Sequence, residues 1–167
     1  MPTSNRHSRS LMPLIEGGGE APHDALLYGT FGQGVCVTDG RWTLFRAPVE
    51  GKPLNTDSTS IFRPLIVDNP VDGRVGRPPE PPAEHGRFDP SVALPLWKTP
   101  IAIDPRTYQC FLFDRLEDPG QTCNLWDENP VERRRMLHLA RRLMDEEGCP
   151  PEQLERLGLT DADLALA

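Results

Sequence analysis

The side chains able to do chemistry are few and widely spaced. Four histidines (His7, His23, His85, His138) and four cysteines (Cys36, Cys110, Cys123, Cys149) include no pair at i, i+4, no Cys-x-x-Cys and no histidine beside a cysteine. Such spacing offers neither a zinc knuckle nor a nucleophile with its base, so no metal ligand set and no catalytic residue is expected. Cys36 and Cys110 lie in apolar runs, where a reduced cysteine packs as a small hydrophobe. Lys98 stands out because Leu96-Trp97-Lys98-Thr99-Pro100 is an apolar, proline-bounded setting from which an ammonium could meet an anionic ligand. The plainer reading lays the lysine stem along apolar surface with its head in water. His23 is the second substrate-binding candidate. Its neighbour Asp24 could orient an imidazole, but adjacent strand residues point to opposite faces, which favours a surface pair at a strand entrance.

Two further patterns are weaker. Gly29-x-x-Gly32-x-Gly34 is not the dinucleotide fingerprint and stands among strands, so it reads as a glycine-rich strand connection. Arg133, Arg134, Arg135, Arg141 and Arg142 are flanked by Glu128, Glu132, Asp145, Glu146 and Glu147. That arrangement is a solvated, salt-bridge-laced helix face, and His138 beside it has no assigned role.

The elements that would hold these residues follow from periodicity and punctuation. Ala25 to Tyr28, Gly34 to Thr38 and Arg41 to Arg46 read as a β-meander, with Asp39-Gly40 as a two-residue hairpin turn. Residues 48–105 carry twelve of the nineteen prolines, so regular structure is expected to be sparse there. Ile61 to Val67 is the one stretch large enough to bury, and 94–98 and 101–103 read as short edge segments. Tyr108 to Asp114 is the expected return strand, closed by the turn Glu117-Asp118-Pro119-Gly120. Asn129-Pro130-Val131-Glu132 combines an N-cap, a proline at the first helical position and an acid at the third. Met136, Leu139, Ala140, Leu143 and Met144 then repeat at three and four, and Gly148 with Pro150 stops the helix. A second short helix is expected from Pro151 or Glu152 to Gly158. The fold class is α+β: a small antiparallel sheet of about four strands, a packed C-terminal helix and a long proline-rich excursion.

The 167 residues, 37% of them hydrophobic, suffice for one modest core. Residues 1–22 are small and polar around the apolar patch Leu11 to Ile15 and read as a flexible lead-in, leaving 23–167 as the domain. A net charge of −7 disfavours phosphate backbones and anionic membranes, so no nucleic-acid or membrane partner is expected. No run approaches a membrane span and no apolar signal core follows the N-terminal basic residues, which favours a cytoplasmic chain.

Several segments together resemble the C-terminal region of the sulfatases, sulfuric ester hydrolases of the alkaline-phosphatase superfamily, and in particular an arylsulfatase-like bacterial subgroup. They are Ser10 to Ile15, similar to the segment leading out of the catalytic domain, and Ala25 to Gly29 with Val37-Thr38-Asp39-Gly40-Arg41-Trp42. They continue with Phe113-Asp114, Asp118-Pro119-Gly120-Gln121 and Asn124-Leu125, and with the ending Pro151 to Leu159. The resemblance covers residues 8–159, loosely in the proline-rich middle. It implies a four-stranded antiparallel sheet with a packed helix, appended to an α/β catalytic domain that would be the partner, in cis or in trans. The family enzyme acts through a formylglycine made from Cys/Ser-x-Pro-x-Arg and a divalent cation, calcium or magnesium. In this chain Cys149-Pro150-Pro151-Glu152-Gln153 has glutamine where the arginine belongs, so Cys149 is expected to be a decoy and the chain to need no cofactor of its own. The resemblance therefore implies a non-catalytic subdomain that completes the substrate cleft, with Lys98 and His23 nearest the sulfate ester. The alternative is a stand-alone binding module derived from a sulfatase.

Overall fold

The computed structural model describes residues 10–18, 23–30, 32–59, 84–87, 93–101 and 105–166. In chain order the elements are α1 (Met12–Ile15), β1 (Leu26–Gly29), β2 (Val35–Thr38), β3 (Trp42–Arg46), β4 (Leu54–Ser58), β5 (Glu84–Gly86), β6 (Leu96–Ile101), β7 (Phe111–Asp114), α2 (Pro130–Glu146), α3 (Pro151–Arg156) and α4 (Asp161–Leu166).

The meander and the return strand form one antiparallel sheet of order β1-β2-β3-β7, as expected. The hairpin turn, however, is displaced by one residue. Thr38 pairs with Thr43 and the Asp39 N–H donates to the Trp42 carbonyl at 3.3 Å, so the two loop residues are Gly40 and Arg41. Gly40 has φ +93° and Arg41 is not left-handed, the pattern of a type II′ turn with glycine first. Asp39 stays out of the loop because its carboxylate accepts from the Trp42 N–H at 2.7 Å and the Arg41 N–H at 3.1 Å.

Strand alternation gives the sheet two different faces. Leu27, Val37, Leu44 and Leu112 lie on the face covered by α2, which contributes Met136, Leu137, Ala140 and Met144 to the core. On the opposite face the pairing makes two rows, Tyr28–Cys36–Phe45–Phe111 and Leu26–Thr38–Thr43–Phe113. Phe111 stacks on Phe113 and tilts against Phe45, with ring centroids 5.9 Å apart in both pairs.

Helix α2 starts where Asn129 accepts the Glu132 N–H at 3.2 Å, and it ends in a Schellman motif. Gly148, at φ +70°, donates to the Asp145 carbonyl and Cys149 to that of Met144. The same device closes α3. Gly158 is left-handed, it donates to Glu155, and the buried Leu159 donates to Leu154. Helix α4 is not foreseen from periodicity. Thr160 and Asp163 cap it reciprocally, side chain to backbone N–H in both directions.

The proline-rich excursion is corrected in part. Residues 54–58, 84–86 and 96–101 make a second antiparallel sheet of order β4-β6-β5, with β6 central rather than an edge segment. Pro100 is tolerated because β5 pairs only with Leu96, Trp97 and Lys98, leaving the proline with one strand neighbour, Asn55 of β4. Ile61 to Val67 lies outside the described residues. The patch at Leu11 to Ile15 is one turn of helix with all four large apolar side chains exposed. Among the described residues no helix is long and apolar enough to cross a membrane.

Candidate functional site

Lys98 sits at the middle of β6, opposite Asp57 on one side and Glu84 on the other. Its Nζ lies 2.6 Å from Glu152 Oε2 at the start of α3, and its side chain is only 17% exposed. Asn55 Nδ2 lies 3.5 Å from the other oxygen of the same carboxylate. An incoming anion would therefore share Lys98 with Glu152 and meet two further carboxylates nearby.

Glu152 belongs to the wall of a cleft of about 350 Å³ between the two sheets and α3. Leu27, Val35 and Leu157 give it apolar walls, Asn55 and Asp57 line it from β4, and the glycine-rich residues 29, 30 and 32–34 border it. That segment is fixed by steric and polar constraints. A Cβ on Gly34 would strike the Arg46 carbonyl and the Phe45 ring, so only glycine fits. Arg156, 3% exposed, donates to the carbonyls of Gly32 at 2.9 Å and Gln33 at 3.2 Å. Burial pulls the Arg156 guanidinium below its usual value. Asn55, Asp57 and Glu152 carry no sequence signal of a shared site, because only tertiary packing of α3 against the second sheet unites them.

His23 is not brought to this cleft. It precedes the end of β1 that pairs with Thr38, whereas the cleft is at the Gly29 end. Asp24 gives its carboxylate to Arg142 at 2.9 Å, and no hydrogen bond from His23 occurs among the described residues.

Cys149 is part of the helix stop, half-buried against the core with its N–H bonded to the Met144 carbonyl at 2.9 Å. Burial, reinforced by the nearby Asp145 carboxylate, pushes its thiol up to about 11. A nucleophilic cysteine needs the opposite shift, because the thiolate is the reactive form. All four cysteines are free. Among the described residues no three His, Cys, Asp or Glu side chains converge to hold a metal ion.

The residues that carried the resemblance turn out to hold the fold together. Arg41 in the hairpin turn clasps Asp114 at the end of β7 through Nε and Nη2, the latter at 2.7 Å. The Arg41 guanidinium holds the Asp114 carboxyl below the usual carboxylate range. Asp118 accepts the N–H groups of Cys123 and Thr122, at 2.8 and 2.6 Å, and these donors hold its carboxyl low as well. Asn124 accepts from Leu112 N at 3.0 Å and Trp126 N at 3.1 Å and donates to the Cys110 carbonyl at 3.1 Å. On α2, Arg135, Arg141 and Arg142 each pair with nearby carboxylates, which makes that face the solvated surface expected of it.

No protein-family model matches the chain, and no curated protein matches it.

Proposed function

We propose that this chain is the C-terminal subdomain of a sulfatase and contributes no reacting group of its own. The observation that carries the reading is the Arg41–Asp114 clasp. It joins the Val37-to-Trp42 block directly to the Phe113-Asp114 block, so two segments of the resemblance more than seventy residues apart serve one structural purpose. The four-stranded antiparallel sheet with its packed helix agrees with what the resemblance implies.

In this reading the formylglycine and the divalent cation belong to the catalytic domain. The present chain walls the substrate cleft and helps choose which ester enters. Lys98 acts on the ester electrostatically, since a fixed cation favours sulfate charge without moving a proton. The Glu152 pairing tempers that attraction.

The deciding measurement is the mass of the native species, isolated from its own cells with an antibody against α2. A longer chain, or a co-purifying domain bearing Cys/Ser-x-Pro-x-Arg, is expected. A lone chain of 18.7 kDa overturns the reading in favour of a stand-alone binding module. The purified chain should show no aryl-sulfate hydrolysis with calcium and a formylglycine-generating enzyme present. Turnover abolished by Cys149→Ala would contradict it.

A further inference from the structure

Among the described residues, the buried side chains of the main hydrophobic core come from the four-stranded sheet and the helices, and none comes from β4, β5 or β6. Between β4 and α3 lies the cleft of about 350 Å³. Where side chains interlock, van der Waals contact fixes the distance between two elements. Across a cleft it does not, and the polar groups that span the gap set its width.

Two ion pairs reach α3 from the second sheet and its lead-in, about one helical turn apart on the helix. Lys52 and Glu155 lie 3.9 Å apart, both well exposed, beside the Val49 N–H that donates to the Arg156 carbonyl. This end adjoins the chain connection into β4. Residues 49–52 form a turn closed by the Lys52 N–H on the Val49 carbonyl, and Gly51 takes φ +76° with open space around it. At the start of α3, Lys98 reaches Glu152 at 2.6 Å from the middle of β6, and Asn55 of β4 approaches the same carboxylate. Position 98 pairs with Asp57 on one side and Glu84 on the other. One ammonium is therefore placed among three carboxylates, two on its own sheet and one on α3. Without it, like charges would face each other across the gap and push the sheet from the helix.

We propose that the second sheet is a lid on this cleft, pivoting at residues 49–52, and that the Lys98–Glu152 pair is the latch that holds it against α3. An ion pair of this exposure is worth up to about a factor of five in an equilibrium. That is enough to move a lid between two positions without unfolding the domain that carries it. The latch belongs to this chain and operates with or without a catalytic domain, so it stands or falls apart from the sulfatase reading.

The test places a cysteine at Gln153, a half-buried residue of α3 that lines the cleft, and follows maleimide labelling of the 167-residue chain by peptide fragmentation, with the exposed Cys123 as internal reference. Added to Gln153→Cys, Lys98→Met should raise the rate at position 153 about fivefold relative to Cys123, and Glu152→Gln about threefold. Lys98→Met has the larger effect because it leaves Glu152 facing Asp57 and Glu84. The direction separates opening from a direct charge effect on the thiol. A nearby cation favours the reactive thiolate and a nearby anion disfavours it, so without a lid the two variants would shift the rate in opposite directions. In Gln153→Cys alone, raising the salt from about 0.05 M to about 0.5 M should speed position 153 about twofold, and Glu152→Gln should remove that dependence. Opposite shifts in the two variants, or a Glu152→Gln rate within about 1.5-fold of the parent, would overturn the latch. If Lys98→Met does not fold, Glu152→Gln and the salt series decide the matter on their own.

Discussion

Replacing Asn124 by alanine should unfasten the return strand from the helix that covers it. The side chain makes three hydrogen bonds to backbone groups, two as acceptor from Leu112 and Trp126 and one as donor to Cys110. At about 1 kcal/mol net for each bond, Asn124→Ala should cost about 3 kcal/mol. Leu112 is fully buried between β3 and α2, so its amide has no water to turn to. With a urea slope of about 2 kcal/mol/M, the unfolding midpoint should fall by about 1.5 M. Tryptophan fluorescence reports the transition, since Trp126 is itself a partner of Asn124 and Trp42 is in the core. Asn124→Asp keeps both acceptor bonds but sets an oxygen against the Cys110 carbonyl, so it should lie between the parent and the alanine variant. A midpoint for Asn124→Ala within about 0.3 M of the parent would refute the claim that this asparagine is a structural staple.

The two glycines that end α2 and α3 should behave differently. Gly148→Ala meets open space and should cost about 1 kcal/mol for its left-handed backbone alone. Gly158→Ala adds a collision with the Arg46 guanidinium and a 3.0 Å approach to Val49 Cγ2, and equal thermal shifts for the two variants would contradict this. Asp24, Asp39, Asp114, Asp118 and Asp163 are all held below the ordinary 3.8. A depressed folded value gives stability that is complete above the unfolded value and lost as pH falls through the folded one. The urea midpoint should therefore be flat between about pH 5 and 7 and drop below about pH 4; a midpoint that rises on acidification would reverse the sign. At pH 7.5 iodoacetamide should modify exposed Cys123 well before Cys149, whose thiol is pushed up to about 11, and peptide mapping that finds Cys149 first would contradict the burial argument.

What was legible in the sequence was local. Asn129, Pro130 and Glu132 announce α2, Gly148 stops it, and the alternation through Val35, Val37, Trp42 and Leu44 marks strands with one buried face. The hairpin loop lies one residue beyond the position the sequence suggests, because Asp39 and Gly40 both suit turns. The choice between Asp39-Gly40 and Gly40-Arg41 is made by the Asp39 side chain, which caps the strand ends from outside the loop. The second sheet was hidden by its prolines, since Pro100 argues against a central strand unless the third strand is known to be short. Lys98 was legible as unusual, but its ion pair with Glu152 depends on how α3 packs, and composition carries no information about that. His23 drew attention through its neighbour, and that neighbour is engaged by Arg142, 118 residues away.

Arg46 ties the C-terminal helices to the sheet so closely that the two should lose structure together. From β3 its Nε donates to the Leu157 carbonyl at 2.5 Å and its Nη1 approaches Cys110 Sγ at 3.3 Å, with the guanidinium over the Trp126 ring. One side chain thus bridges the central strand, the approach to the return strand, the turn before α2 and the end of α3. Among the described residues the second sheet and the segment leading into it meet α3 through the Lys98–Glu152 and Lys52–Glu155 pairs, Asn55, and the Val49 N–H donated to the Arg156 carbonyl. In hydrogen exchange the amides of β2, β3, β7 and α2 should form one slow cooperative unit that includes Leu157 and Leu159. Strands β4, β5 and β6 should open earlier and at lower free energy. The β4 side of the cleft, with Asn55 and Asp57, would then belong to the least stable part of the fold, able to shift without unfolding the four-stranded sheet and the helices packed on it.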